Sequence, residues 1–150
     1  MADDRIWEAR KQFADACREI CLTWASSDYV VPLDKIINVT TELPNIMKKH
    51  DIDGGIVAHI GDGNIHVNVL NTHNQGPEEW ANTLHAYDDD IFSLVYSLGG
   101  KMSGEHGIGY KKKAEFEKFT PEGELRLMRL LKKAWDPNNI MNPSKVIDVE

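Results

Sequence analysis

Cysteine is nearly missing: Cys17 and Cys21 are the only two in 150 residues. Two are too few for a disulfide framework, and their i, i+4 spacing beside Ile20 suits reduced thiols on or near a helix core face. The expectation is a reducing, cytoplasmic compartment. No stretch approaches the ~20 apolar residues needed to span a bilayer. The opening MADDRIWEAR is acidic and carries no apolar signal region. Positive charge is also scarce. The net charge of −7 argues against nucleic-acid binding, which leaves clustered lysines and arginines. The one basic cluster, Lys111-Lys112-Lys113, is diluted by Glu115 and Glu117 and reads as a solvated helix face. Internal repeats and low-complexity segments are absent too. What is there, 41% hydrophobic and 27% charged residues, suits one soluble globular domain.

The periodicity predicts a first helix from about Asp4 to Cys21, with Phe13, Cys17 and Ile20 on one side. Thr23 to Val31 reads as a strand stopped by Pro32. A second helix follows to about His50, with Pro44 bending or interrupting it. Gly54 to Leu70 then reads as two strands. Trp80, Leu84, Tyr87, Ile91, Leu94 and Leu98 form a helical stripe opened by Pro77 and closed by Gly99-Gly100. A short extended piece spans Lys101 to Ser103. Helical segments follow near Tyr110 to Phe119 and Pro121 to Trp135, the latter with Leu125, Met128, Leu131 and Trp135 as its buried stripe. From Thr23 to Ser103 the order is strand, helix, strand, strand, helix, strand. This is an α+β fold, a ferredoxin-like split βαβ antiparallel sheet with helices on one face, followed by a small C-terminal helical region. Residues 1–103 form the α+β part and 104–150 the helical part. One face of the sheet is left free.

Residues 56 to 70 read IVAHIGDGNIHVNVL. With Gly61-Asp62-Gly63-Asn64 as a four-residue loop, Ile60 pairs with Ile65 and His59 pairs directly with His66. Side chains alternate along strands, so Ala58, Ile60, Ile65, Val67 and Val69 share an apolar face that meets the helices. Val57, His59, His66, Asn68 and Leu70 share the free face. Two opposed imidazoles, with Cβ atoms roughly 5 Å apart, suit a single metal ion. A pair of exposed cross-strand histidines is the alternative. Glu105 and His106 lie between glycines in Ser103-Gly104-Glu105-His106-Gly107-Ile108-Gly109, a loop built for close backbone approach. Brought to the free face, Glu105 completes a His-His-Glu ligand set that leaves positions open for a substrate. His106 then remains free for proton transfer. A helix-start carboxylate is the alternative for Glu105.

The hairpin His59-Ile-Gly-Asp-Gly-Asn-Ile-His66, the segment Ser-Gly-Glu105-His106-Gly-Ile-Gly and the ending Asp136-Pro-Asn-Asn-Ile-Met-Asn142-Pro-Ser-Lys145 occur in this order. Together they resemble the C-terminal domain of FAD-linked oxidases of the vanillyl-alcohol-oxidase type, a family that includes D-lactate dehydrogenases and the flavin subunit of glycolate oxidase. The resemblance runs from about Trp7 to Val146. It implies that His59, His66 and Glu105 are divalent-metal ligands, for zinc, manganese or iron, and that His106 is the catalytic base. It implies that Asn68 contacts substrate and that Arg10 clamps the substrate carboxylate, as a bidentate guanidinium does well. A solvated helix arginine is the alternative for Arg10, with Lys11 a competing register. Asn64 and Asn142 match positions where the family approaches its flavin.

Two positions depart from the pattern. Relatives acting on larger diacids often have a lysine two residues before the aspartate matching Asp28; Ser26 stands there, which favours lactate or glycolate. Ser144 replaces the glycine usual in the closing Asn-Pro-Gly-Lys motif. The family binds FAD mainly through an N-terminal domain, and nothing in these residues resembles it. Gly61-Asp62-Gly63 leads into a strand and lacks the strand-to-helix setting of a dinucleotide loop. The expectations are an excised or separately encoded portion, a flavin-binding domain or subunit as partner, and self-association when that partner is missing. For a complete complex, a site peripheral to the membrane is a further expectation. The implied reaction is oxidation of a small D-2-hydroxy acid with hydride transfer to FAD. Its rivals are a non-catalytic metal-binding or assembly module and a metal-dependent hydrolase.

Overall fold

The computed structural model describes residues 7–8 and 11–149. Helix α1 (Phe13–Ile20) leads to strand β1 (Trp24–Val30), a 3-10 turn over Leu33–Lys35, and α2 (Ile36–Lys49). Strands β2 (Asp53–His59) and β3 (Asn64–Leu70) follow, then α3 (Pro77–Ser97), α4 (Lys113–Phe119) and α5 (Glu122–Trp135). The sheet is antiparallel throughout, in the order β1-β3-β2. Beyond the free edge of β1, Lys101 makes a single antiparallel bridge to Val30. The α+β fold expected from the order of elements is therefore present, with its fourth strand cut to one bridge.

The core lies between the sheet and helices α2 and α3. Ile65, Val67 and Val69 of β3 meet Val39, Leu43 and Met47 of α2 and Tyr87, Ile91, Phe92 and Val95 of α3, all buried. Pro44 does not interrupt α2, which runs unbroken past it. Proline removes one helical hydrogen bond, and burial of Leu43 and Met47 on either side carries the helix across. Pro77 opens α3, as read from the sequence. At its end Gly99, at φ 79°, donates to the Tyr96 carbonyl and Gly100 to that of Val95. This left-handed cap turns the chain so that Gly100 approaches the Val30 carbonyl closely, and Lys101 reaches its bridge.

Helix α1 lies on the sheet's other face. The Phe13 ring and the Cys17 thiol sit over Gly55, whose open side is opposite that of Gly54, which meets Met47 of α2. The free face is thus partly covered, a feature the split-motif pattern does not contain. Cys17 is buried, but Ile20 is 68% exposed and is not part of that packing. The expected start of α1 near Asp4 lies outside the described residues.

Two further expectations are corrected here. Ile60 belongs to the hairpin loop, not the core face, and is 70% exposed. Of the stripe expected for α5, Leu125 is buried while Leu131 and Trp135 stand 52% and 84% exposed and Met128 is half-open. An apolar stripe needs something to cover it, and within the described residues only the Leu125 end of α5 is covered. No helix among the described residues is long and apolar enough to cross a membrane.

Candidate functional site

Asn64, His66 and Asn68 alternate along β3 and share one face. In register, His66 lies between Asp28 of β1 and Val57 of β2, Asn68 between Ser26 and Gly55, and Asn64 between Val30 and His59. His59 and His66 are therefore diagonal neighbours, not the directly opposed pair expected from the sequence. The turn is closed one residue earlier: the Asp62 amide donates to the His59 carbonyl, and the Asp62 carboxylate accepts the Asn64 amide at 3.1 Å. That shifts the register by two residues, and a two-residue shift leaves every side chain on its original face. The imidazoles still meet, with ring centroids 5.1 Å apart.

The loop after Lys101 is held by a residue that sequence reasoning missed. Asp28 is 1% exposed. Its Oδ2 accepts the amides of Gly104 and Glu105 at 2.7 Å and of His106 at 3.1 Å. Ser103 Oγ donates to the same carboxylate and accepts the Gly107 amide. Lys112 Nζ donates to Asp28 Oδ1 at 2.8 Å and to the Met102 carbonyl at 2.8 Å. Burial by itself would push the Asp28 carboxyl up, but the Lys112 ammonium and the Glu105 and His106 amides hold it well below the usual carboxylate range. Lys112 is thus a largely buried ion-pair partner, only 13% exposed, not part of a solvated helix face. Its neighbour Lys113 pairs with Asp148. Because Asp28 takes these amides, the chain beyond Lys101 does not continue the ladder. That is why the fourth strand is so short.

So anchored, the loop carries Glu105 to the histidines. Glu105 Oε1 lies 2.6 Å from His66 Nε2 and 3.7 Å from His59 Nε2. The Asn64 amide group donates to the same oxygen at 3.0 Å. Gly104 permits this approach, since a Cβ there would stand 2.7 Å from the Asn64 side chain. One donor atom from each of His59, His66 and Glu105 falls within 4.8 Å of the others. Ligands around a four-coordinate ion with ~2.05 Å bonds are about 3.3 Å apart. Small side-chain rotations therefore bring this set onto one cation. Burial lowers the basicity of His66, with the neighbouring imidazoles acting the same way against the Glu105 carboxylate. A neutral imidazole is the form that binds metal. The donor set fits a divalent cation.

His106 is 60% exposed, with Nε2 3.9 Å from Glu105 Oε1 and its ring 5.4 Å from that of His66. Asn68 is buried beside Ser26 and Gly55. Asn64 binds Glu105 and leaves its own Oδ1 buried without a partner among the described residues. Asn142 sits exposed in the closing turn at φ 50°. That turn returns to the loop, where the Val146 amide donates to the Gly109 carbonyl and Lys145 Nζ lies 4.9 Å from the Tyr110 ring centre. Arg10 lies outside the described residues.

Residues 1–146 match the family model for FAD linked oxidases, C-terminal domain. The chain belongs to this family. Within it, the chain is similar to a D-lactate dehydrogenase of Archaeoglobus fulgidus, 38% identical over 96% of this chain and 31% of that protein. It is 33% identical to the glycolate oxidase subunit GlcD of Bacillus subtilis, over 94% of this chain and 30% of the relative. A D-2-hydroxyglutarate dehydrogenase of Stutzerimonas stutzeri is 30% identical over 94% of this chain and 30% of its own length. This FAD-linked oxidase domain thus spans about a third of the curated relatives it matches.

Proposed function

We propose that the domain is the substrate- and metal-binding part of a flavin-dependent enzyme oxidising a small D-2-hydroxy acid, lactate or glycolate, to the 2-oxo acid. The observation that carries this reading is the meeting of His59, His66 and Glu105 on one sheet face, with His106 beside them and outside the ligand set. A divalent cation held by His59, His66 and Glu105 would lend Lewis acidity to the substrate hydroxyl, and a bound flavin would supply the hydride acceptor. His106 takes the hydroxyl proton at Nε2, a role open to it because it is exposed and not a ligand. Asn68 and Arg10 hold the substrate carboxylate. Ser26, opposite Asn68 in register, offers no cation to a second carboxylate, which favours a monocarboxylate. Asn64 and Asn142 would approach the flavin, and Asn64 Oδ1, which has no partner among the described residues, is available to a group from outside this chain.

In this reading residues 1–103 form the cap over the substrate and residues 104–150 the helical part that joins the flavin-binding region. Two features support such a partner. His59, Glu105 and His106 are each about half exposed, so the site needs another wall. The apolar side of α5, with Leu127, Leu130, Leu131 and Trp135, is uncovered. The free thiols of Cys17 and Cys21 favour a reducing compartment.

The test uses the complete protein with its flavin-binding region. His106→Ala should lower D-lactate- or glycolate-dependent dye reduction about a thousandfold while bound metal and flavin are unchanged. Wild-type turnover in that variant would remove the base from the reading.

A further inference from the structure

We infer that Asp28, paired with Lys112, is the positioning residue that sets Glu105 and His106 before the two histidines. The inference rests on the metal-site reading above and deepens it.

Three facts make Asp28 the hinge of the site. In register it is the direct neighbour of His66, so the residue that grips the loop backbone stands next to the imidazole that the loop side chain must reach. Its Oδ2 gathers three consecutive amides, those of Gly104, Glu105 and His106. Successive N–H groups turned toward one anion form a concave nest, which fixes the backbone dihedrals of the residues that build it. With those dihedrals fixed, the Glu105 side chain is directed away from Asp28 and toward His66, where its carboxylate arrives at 2.6 Å.

Charge explains why Asp28 itself is no ligand. It is an acid on the metal-bearing face, adjacent to a ligand histidine. Its two oxygens are fully engaged: Oδ1 accepts from Ser103 and Lys112, and Oδ2 from Ser103 and the three amides. Lys112 spends its donors on Asp28 and on the Met102 carbonyl, just ahead of the loop. A buried carboxylate is stable only when paired and bonded in this way. The pair neutralises itself, and Glu105 remains the carboxylate that faces the histidines. β1 thus acts on the site through the loop backbone, while β2 and β3 act on it through their side chains.

The experiment compares the full protein with its Asp28→Asn, Asp28→Ala and Ser103→Ala variants, all metal-free at the start. Hydrogen exchange is read at the amides of residues 104–106 and of β3, and Zn2+ affinity by calorimetry. Asn keeps one acceptor and Ala keeps none, so protection at 104–106 and Zn2+ affinity should both fall in the order Asp, Asn, Ala. The Asn variant should lose roughly ten- to a hundredfold in Zn2+ affinity, the range for residues that orient a ligand without touching the metal. Protection in β3 should stay unchanged. If the Asp28 variants fail to fold, Ser103→Ala must show the same pattern in weaker form, and wild-type behaviour there would overturn the inference. So would a folded Asp28→Asn protein with wild-type exchange at 104–106 and wild-type Zn2+ affinity. If the unaltered protein binds no Zn2+, the metal reading fails by itself. Exchange at 104–106 then decides: lost protection sustains the positioning role, and unchanged protection ends it.

Discussion

Strand β3 shows two chemistries on its two sides. Ile65, Val67 and Val69 are sealed against α2 and α3, while Asn64, His66 and Asn68, one residue out of step, face the loop, α1 and solvent. The apolar side is held by packing, so its residues are interchangeable within limits of volume. The polar side is held by directed bonds, with Asn64 and His66 both reaching the Glu105 carboxylate. Stability is concentrated on one side, and the proposed chemistry lies on the other. Adjacent substitutions should therefore fail in different ways.

The widest separation is expected between Ile65→Ala and His66→Ala. Ile65 is fully buried, and truncating it should cost about 3 kcal/mol of folding free energy through lost burial and the cavity left behind. Its folded fraction should still bind Zn2+ normally. His66→Ala should change stability by less than about 1 kcal/mol yet remove measurable Zn2+ binding, since two ligands remain of three. Denaturant titration and calorimetry on both variants read the two effects separately. If both variants lost stability equally and kept metal equally, the two sides would not be distinct.

Asp88 complicates the apolar side. It lines a small cavity of about 30 Å3 under β1 with Ser27, Tyr29, Leu84 and Tyr87. Burial, and then the Glu115 carboxylate, push its carboxyl up from 3.8 to about 7. A raised folded-state value means the unfolded chain releases this proton first. The contribution of Asp88 to stability should therefore be undiminished below about pH 4 and should fall as pH rises to about 7, by roughly 1–3 kcal/mol. Asp88→Asn should remove that slope: more stable than the parent at pH 8 and level with it near pH 4. Urea unfolding at the two pH values checks this. An equal gap at both would show that Asp88 does not titrate in this window.

The division between the faces was legible in the alternation of residues 56–70, and so was the α+β order. Three features were not. Registers two residues apart present identical faces, so the pattern could not tell His59 opposite His66 from His59 opposite Asn64. The role of Asp28 rests on partners 75 to 84 positions away, too distant for any local motif. Its signal was nonetheless present: aspartate is unfavourable inside a strand, and Ser27-Asp28-Tyr29-Val30-Val31 holds one among strand-forming residues. Lys112 was hidden for a related reason, since three lysines in a row look solvated until a buried carboxylate claims one.

The closing turn packs back on the loop near Gly109 and Tyr110, and there the backbone is strained. Ser144 adopts φ 61°, a left-handed conformation that costs an L-residue roughly 1–2 kcal/mol. Ser144→Gly relieves that strain but frees the unfolded chain. The net gain should be about 0.5 kcal/mol, seen as a small rise in Tm with metal affinity unchanged. A drop in Tm would place the turn's stability in the serine side chain instead.

Helices α3 and α5 extend the comparison, and the smallest effect on stability belongs to the second. Both show apolar residues at helical spacing. In α3 they are buried as Tyr87, Ile91, Phe92 and Val95, while in α5 Leu127, Leu130, Leu131 and Trp135 stay exposed. Periodicity reports that a helix has an apolar side and is silent on what covers it. Leu131→Ser should therefore leave urea stability of the chain alone within about 0.5 kcal/mol, as for any exposed position without a partner. If the proposed partner surface is this one, the same substitution should weaken association, both of the chain with itself and with the flavin-binding region, because a polar group then interrupts the exposed apolar patch. Sedimentation at rising concentration, with the Leu131→Ser chain against the parent, reads the first. A parent chain that stays monomeric throughout would mean that α5 does not drive self-association, whatever the flavin-binding region contributes.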